Sequence, residues 1–235
     1  MTDRAPDLEA IRAAKLQRID ESHRCAPGNC ALLVIDMQHG FLDEDASLSL
    51  PKWRALIPNI QKLISAARAR SIPVIFTEFV YSSAIPCLRG DPFGMEHLPA
   101  VDGEPTGFGF PSNNCLIGLG APAAGDAESA ATVDELQPEP GELVVQGHTY
   151  DKFHGTHLDL GLRSHRVDRL ILTGITTDVC VNATLIAGST RNYRVTAVSD
   201  AMGAVHDHHH EACLTIWENK FARIKTTDEV HAEIA

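Results

Sequence analysis

Short apolar runs alternate along the chain with segments whose apolar residues have helical spacing. The first run, residues 31–36 (Ala-Leu-Leu-Val-Ile-Asp), has the length of a buried strand and ends in an acid. Apolar residues at 60, 63, 64 and 67 lie on one helix face, which predicts a helix over about 56–70. The same alternation predicts strands at 72–79, 143–146, 169–173, 194–199 and 221–226, and helices near 156–165, 179–191 and 207–218.

This alternation indicates the fold class. Continuous apolar strands that alternate with helices are typical of a mainly parallel sheet covered on both faces. The sequence therefore predicts a single α/β domain over residues 31–235, a three-layer αβα sandwich with a six-stranded, mainly parallel sheet. Residues 7–20 predict an amphipathic helix, so we interpret residues 1–30 as an N-terminal helical extension.

Residues 82–140 interrupt the alternation. They are rich in glycine, proline and alanine, and they contain Phe93, Phe108 and Phe110. Loops this long within a compact domain are usually functional or disordered. The three aromatic residues favour an ordered flap, so this stretch is predicted to be a long loop or flap insertion.

Composition and charge exclude several classes of function. With 235 residues, 44% hydrophobic and 22% charged, the chain has the composition of a globular protein. Its net charge of −11 disfavours nucleic acid and anionic membranes as partners. Apolar runs of ~18 residues are absent and residues 1–30 are charged throughout, which predicts a cytoplasmic protein without a membrane span or signal peptide. The six cysteines include no CxxC pair, so they are expected to be reduced thiols.

Candidate chemistry lies where predicted strands end. Open parallel sheets bind ligands at the carboxyl ends of their strands. Asp36 ends the first strand, and Cys180 follows the fourth strand by a short loop, at the start of a helix. A helix N-terminus favours a thiolate and offers N–H groups to an oxyanion, so we expect a lowered thiol pKa there. Asp36 and Cys180 are therefore a candidate base and nucleophile, although spacing alone fits a helix cap and a buried core cysteine equally well.

Four motifs carry a resemblance to a known family. They are residues 33–38 (LVIDMQ), 150–163 (YDKFHGTHLDLGLR), 172–184 (LTGITTDVCVNAT) and 198–201 (VSDA). Over residues 30–226 the chain resembles the isochorismatase-like cysteine hydrolases. The resemblance implies a six-stranded parallel sheet, a homodimer or homotetramer, and an Asp–Lys–Cys triad that hydrolyses amides, ureas and related C–N bonds.

The resemblance also implies roles for individual residues. Asp36 matches the family aspartate and Cys180 the nucleophile. The family's cis peptide falls at Ile175–Thr176, where it would direct the amides of Thr176 and Cys180 at the substrate carbonyl oxygen. Proton transfer would run from Cys180 to Asp36 and then to the leaving amine, and water would hydrolyse the thioester.

The family lysine does not align with a lysine here. Its position, nine or ten residues before Thr156, holds Gly147 and Gln146. Three alternatives remain open at this point. Lys152 could reach in from the loop, His148 could act as a weaker donor, or Gln146 could hold the nucleophile by hydrogen bonds alone. The last is slightly favoured because Gln146 ends the predicted strand.

No metal or cofactor is predicted. The nicotinamidase branch of the family binds zinc through an Asp-x-His motif and a further histidine after the second strand, whereas residues 77–82 (TEFVYS) are followed by no histidine until His97. The cluster of His206, His208, His209 and His210 is interpreted as a solvated helix start, because consecutive histidines point in different directions.

The motifs are closest to members that hydrolyse ureides, so the predicted substrate is a small amide or a carbamoyl, biuret-like or ureidoacrylate-like ureide. A catalytically impaired ligand-binding homologue and an isochorismatase-type vinyl ether hydrolase are the alternatives, and Cys180 favours C–N hydrolysis over the latter. Five side chains could line the pocket or equally belong to the core or rim, with Glu78 a candidate ligand for an amino or ureido N–H: Phe41, Glu78, Tyr81, Tyr150 and Phe153.

Overall fold

The central element of the computed structural model, which describes residues 7–44, 51–80 and 130–235, is a six-stranded sheet. Its neighbouring strands pair in parallel in the order β3-β2-β1-β4-β5-β6. The strands are β1 (Cys30–Ile35), β2 (Val74–Phe79), β3 (Leu143–Gly147), β4 (Arg169–Ile175), β5 (Arg194–Gly203) and β6 (Ala222–Lys225). The predicted single-domain α/β sheet is confirmed.

Helices cover both faces of this sheet. They are α1 (Leu8–His23), α2 (His39–Leu42), α3 (Ile57–Ala69), α4 (Leu158–Ser164), α5 (Asn182–Thr190), α6 (Asp207–Lys220) and α7 (Thr227–Ile234). The period-two geometry of β1 divides its side chains between two cores. Leu32 and Val34 pack with α3 and α7, whereas Leu33 and Ile35 pack with α4, α5 and α6. Burial on both faces explains why the strand is apolar at every position.

The strand order places a crevice beside β1. The chain winds from β1 outward to β3 and then returns to β4 on the other side of β1, so the winding direction reverses between β1 and β4. Gly174, near the end of β4, has φ +107°, and a Cβ there would lie 2.0 Å from the Ile35 carbonyl oxygen. Only glycine allows this close approach of the two strands. Ligand sites in open parallel sheets lie at such a reversal, at the carboxyl ends of the strands.

The two ends of the chain differ from the sequence prediction. The N-terminal helix forms over Leu8–His23, but the prediction that it is amphipathic is wrong, because none of its residues is buried and Leu8 and Ile11 are exposed. A polar contact at 2.7 Å, from Arg12 Nη2 to Glu218 Oε2, links it to α6. The C-terminal helix α7 was not predicted, although Thr226 and Glu229 form the capping box that marks its start.

The predicted flap lies mostly outside the described residues. Of its range, 82–140, the structure describes residues 130–140, which include a short 3₁₀ turn at Asp134–Leu136. Phe93, Phe108 and Phe110, and the preceding Tyr81, are not among the described residues. Among the helices that are described, none is long and apolar enough to span a bilayer.

Candidate active site

Asp36 lies at the carboxyl end of β1 and is held by the neighbouring strand. Its backbone N–H donates to the Thr77 carbonyl oxygen at 3.0 Å, and Thr77 Oγ1 donates to Asp36 Oδ1 at 2.7 Å. The residue is 1% exposed. A buried carboxylate is costly unless it is paired and hydrogen-bonded, so its second oxygen requires a cation.

Lys152 provides that cation. Its Nζ lies 2.8 Å from Asp36 Oδ2, and its side chain is 0% exposed. The ammonium group also donates to the Thr149 carbonyl oxygen at 3.3 Å and lies 5.0 Å from the centroid of the Phe79 ring. The structure therefore places a buried carboxylate–ammonium pair at the carboxyl edge of β1.

The loop that carries Lys152 is fixed by two threonines. The backbone N–H of Lys152 donates to Thr184 Oγ1 on α5 at 3.2 Å, and Thr156 Oγ1 donates to the Lys152 carbonyl oxygen at 2.6 Å. These bonds turn the lysine toward the sheet. The sequence contains a signal for this residue, because Lys152 is the only lysine between Lys62 and Lys220.

The preference for Gln146 as the residue in place of the lysine is wrong. Gln146 is exposed on β3, and its Nε2 donates to Glu78 Oε2 at 3.0 Å. Of the three alternatives, Lys152 is the one that the structure brings to Asp36. His148 is half-buried at the end of the same strand. The site therefore has a positive charge, contributed by the loop instead of the strand.

Cys180 lies in an irregular turn between β4 and α5. Residues Thr177–Val181 form a single π-type turn, and α5 begins only at Asn182. The N–H groups of Val179 and Val181 both donate to the Thr176 carbonyl oxygen at 3.1 Å. Cys180 is 7% exposed, and the charges of Asp36 and Lys152 both act on the pKa of its thiol. The candidate nucleophile therefore lies within the electrostatic influence of the buried ion pair.

The thiol pKa differs from the prediction. Burial raises the pKa of Cys180 well above its usual value, and the negative charge of Asp36 raises it further, while Lys152 opposes the rise. The expectation that the helix start lowers this pKa is wrong, because the thiol is buried within the turn before the helix. Burial and the charge of Asp36 therefore favour the neutral thiol of Cys180 over the thiolate.

The peptide bond that enters this turn, Ile175–Thr176, is cis. This is the position that the family resemblance implies. Ile175 is buried in the core, and Thr176 begins the turn that leads to Cys180.

Glu78 and Gln38 anchor a neighbouring segment, residues 130–133, which we call the return segment. Gln38 Nε2 donates to the Ala130 carbonyl oxygen at 2.8 Å, and Glu78 Oε1 accepts from the Thr132 N–H at 3.0 Å. Glu78 is 6% exposed. Its carboxylate, predicted as a substrate ligand, binds Thr132 and Gln146 in this structure.

The predicted aromatic residues have different surroundings. Tyr150 is half-buried and stacks on Phe79 with ring centroids 5.6 Å apart, beside the Lys152 ammonium group. Phe153 is buried as a core residue, with its ring 5.8 Å from that of Tyr193. Phe41 is partly buried against the core that contains α3. Tyr150 therefore stacks on the same Phe79 ring that the Lys152 ammonium group faces.

The histidine cluster is not uniformly solvated. His206 and His208 are exposed and stack on each other, as a solvated helix start predicts. His209 Nδ1, however, lies 2.9 Å from Asp178 Oδ2, and His210 Nδ1 lies 3.0 Å from Thr177 Oγ1. Two of the four histidines thus contact the turn that carries Cys180. Within residues 7–44, 51–80 and 130–235, no group of His, Cys, Asp and Glu side chains is arranged to hold a metal ion.

Comparison with known proteins agrees with this geometry. The model of the isochorismatase domain family matches residues 30–229. The chain is 34% identical over 209 residues to a ureidoacrylate amidohydrolase (RutB) of Pseudomonas syringae pv. syringae, covering 83% of this chain and 78% of that protein. It is 27% identical over 243 residues to an N-carbamoylsarcosine amidase of an Arthrobacter species, covering 95% of this chain and 83% of the relative.

A solved structure is similar over nearly the same range. The cysteine hydrolase of Pseudomonas syringae pv. phaseolicola superposes with a TM-score of 0.69 at 27% identity. The match covers 90% of this chain and 94% of that one. The fold and the sequence motifs therefore point to the same group of proteins.

Proposed function

The chain belongs to the isochorismatase family, and on that premise we propose that it hydrolyses a C–N bond of a small amide or ureide with Cys180 as the nucleophile. The observation that carries the proposal is the Lys152–Asp36 ion pair, which is buried at the carboxyl edge of the sheet and acts on the buried thiol of Cys180. A nucleophile hydrogen-bonded to a base that a third group orients is the usual arrangement for covalent catalysis.

The first half-reaction forms an acyl-enzyme. Asp36 takes the proton of the Cys180 thiol as the sulfur attacks the substrate carbonyl carbon. Backbone N–H groups of Thr176 and Cys180 stabilise the oxyanion. Lys152 compensates the buried carboxylate and holds it in place. Collapse of the tetrahedral intermediate breaks the C–N bond, and Asp36 gives its proton to the leaving nitrogen.

The second half-reaction restores the thiol. Asp36 takes a proton from water as the water oxygen attacks the thioester carbonyl, or the thiocarbamate carbonyl if the substrate is a ureide. The C–S bond breaks, and the proton returns to the Cys180 sulfur. No cofactor is needed, because each step transfers only protons and an acyl group.

The substrate class follows from the relatives. The names of two of them, ureidoacrylate amidohydrolase and N-carbamoylsarcosine amidase, both describe a carbamoyl group bonded to a substrate nitrogen. A ureido compound of this kind is the substrate class we propose. The alternative of a catalytically impaired homologue depended on a missing lysine, and the Lys152–Asp36 pair removes that basis.

A panel assay tests the proposal. Ammonia release is measured with ureidoacrylate, N-carbamoylsarcosine, biuret, maleamate and nicotinamide, and pyruvate release with isochorismate, for the wild type and Cys180→Ala. The expected result is ammonia release from at least one ureido compound that Cys180→Ala reduces to a small residual rate. Cys213→Ala is the matched control, because Cys213 is half-buried on α6 and should leave the rate unchanged.

Two outcomes would contradict the proposal. One is ammonia release that continues near the wild-type rate in Cys180→Ala. The other is pyruvate release as the main activity, which would indicate a vinyl ether hydrolase.

A further inference from the structure

We infer that His210 is a positioning residue, which holds the turn carrying Cys180 through its hydrogen bond to Thr177. The inference deepens the proposed function and rests on it, because it assigns His210 an effect on the rate of attack by the Cys180 sulfur. His210 belongs to the histidine cluster at 206–210, which takes no part in the proposed hydrolysis.

The turn needs support from outside because its own hydrogen bonding is irregular. Between β4 and α5, two N–H groups share the single carbonyl oxygen of Thr176. Regular helix begins two residues after Cys180. π-type turns are rare and frequently occur at functional sites. Side-chain contacts from a neighbouring element can fix such a turn.

Helix α6 provides these contacts on both sides of Cys180. Before the cysteine, His210 Nδ1 and Thr177 Oγ1 are hydrogen-bonded at 3.0 Å. After it, Trp217 Nε1 donates to Asn182 Oδ1 at 2.9 Å. Trp217 and Thr177 are both buried, and both hydrogen bonds are partly buried. The helix therefore braces the turn at two points that flank the nucleophile.

His209 adds a weaker contact. Its Nδ1 lies 2.9 Å from Asp178 Oδ2, but nearly half of the His209 side chain is exposed. Exposed ion pairs contribute little. His210 is half-buried and its bond partner is fully buried, which makes it the histidine with the larger expected effect.

The imidazole of His210 can keep its hydrogen bond to Thr177 without a change of charge near pH 7. Burial lowers the pKa of His210, so the ring is neutral at pH 7. A neutral imidazole nitrogen forms one hydrogen bond with a hydroxyl, and an asparagine amide can reproduce it from nearly the same position. Asparagine at 210 should therefore retain what leucine loses.

The test compares His210→Leu and Thr177→Val with the wild type, on the ureido compound that the wild type hydrolyses. Each variant should lower kcat about tenfold and leave KM within about twofold, since small displacements of a reacting group can cost up to about 10²-fold in rate. The double variant should be no slower than the slower single variant, because both substitutions remove the same bond. His210→Asn should recover most of the rate.

His208→Leu is the matched control. His208 is an exposed histidine on the same helix that stacks on His206. It should behave as the wild type. An unchanged kcat in folded His210→Leu, a rise in KM alone, multiplying losses in the double variant, or a His210→Asn variant as slow as His210→Leu would each overturn the inference.

A second readout does not depend on turnover. Because Cys180 is buried, loosening its turn should speed alkylation of that residue by iodoacetamide, followed by intact-mass and peptide analysis. We expect faster alkylation in His210→Leu than in the wild type or His208→Leu, and an unchanged rate would contradict the brace. If the wild type hydrolyses nothing in the panel, the proposed function fails while this measurement still decides the role of His210.

Discussion

Two buried ion pairs lie in different parts of the molecule and differ in how completely they are satisfied. Arg223, on β6, donates from Nη1 and Nη2 to the two carboxylate oxygens of Glu233 on α7, both at 2.8 Å. Its Nε donates to Thr196 Oγ1 at 3.2 Å, and Nη1 also reaches the Asp20 carbonyl oxygen of α1 at 3.3 Å. Lys152 instead meets Asp36 at one oxygen, 2.8 Å away.

This difference distinguishes a structural pair from a chemical one. A bidentate guanidinium–carboxylate pair has a fixed geometry and joins chain segments, here β6, α7 and α1. The Lys152–Asp36 pair instead acts on the pKa of the Cys180 thiol. A carboxylate that influences a nearby thiol in this way can take its proton and act as a base. We therefore expect the first pair to affect folding alone and the second to affect both folding and activity.

The largest expected effect is that of Lys152→Met. Removal of the ammonium group leaves Asp36 buried without its cation, so kcat/KM should fall by about 10²–10⁴-fold, the range typical of general acid–base catalysis. The free energy of unfolding should also fall, by about 3–5 kcal/mol, because an uncompensated buried charge is costly. Steady-state kinetics and urea unfolding measure the two effects. Activity near that of the wild type would remove the distinction between the two pairs.

Arg223→Met tests whether the Arg223–Glu233 pair has a structural role alone. It leaves Glu233 without its partner and should lower the free energy of unfolding by about 3 kcal/mol. Because Arg223 lies on β6, away from the strand ends that carry Asp36 and Cys180, kcat should change less than twofold in the folded protein. Urea unfolding and kinetics at a temperature where the variant is folded check both parts. A large loss of kcat with unchanged stability would reverse the assignment.

Sequence patterns predicted the sheet, and they indicate two of the three residues of the proposed site. Asp36 and Cys180 follow from local rules, because each lies just beyond an apolar strand at the edge where parallel sheets bind ligands. Lys152 does not, since lysine is rarely buried and its position depends on contacts from other elements. Phe79 and Thr184, which help to hold it, come from β2 and α5.

The surroundings of Cys180 likewise depend on contacts from other elements. The raised pKa of Cys180 depends on burial that the sequence does not encode locally. The role inferred for His210 depends on how α6 packs against the turn. The residue types of Cys180 and His210 are evident from the sequence, whereas the groups that surround each of them are evident only from the tertiary structure.

A smaller loss of stability is expected for Glu78→Gln. Glu78 joins β2 to the return segment, residues 130–133, through Thr132. An amide that replaces the carboxylate weakens a charge-assisted hydrogen bond, so the free energy of unfolding should fall by about 1–2 kcal/mol. Thermal or urea unfolding measures it, with Glu139→Gln, an exposed residue, as the control. Equal stability in the two variants would show that the carboxylate does not anchor the segment.

The smallest expected effect is that of Gln146→Lys. Position 146 is exposed and faces Glu78, so a lysine there should change kcat/KM by less than about twofold, because exposed substitutions usually have small effects. It should also fail to restore activity in Lys152→Met. A tenfold gain in either background would indicate that the functional cation belongs on β3.

The most direct test of the central claim is the kcat/KM of the double variant Cys180→Ala/Lys152→Met. The claim is that Cys180, Asp36 and Lys152 act as one catalytic unit, and losses within such a unit are far from additive. The assay needs a detection limit below the product of the two single losses. We predict that the kcat/KM of the double variant is no lower than that of the less active single variant. Losses that multiply would contradict the claim, because they would mean that the nucleophile and the ion pair act independently.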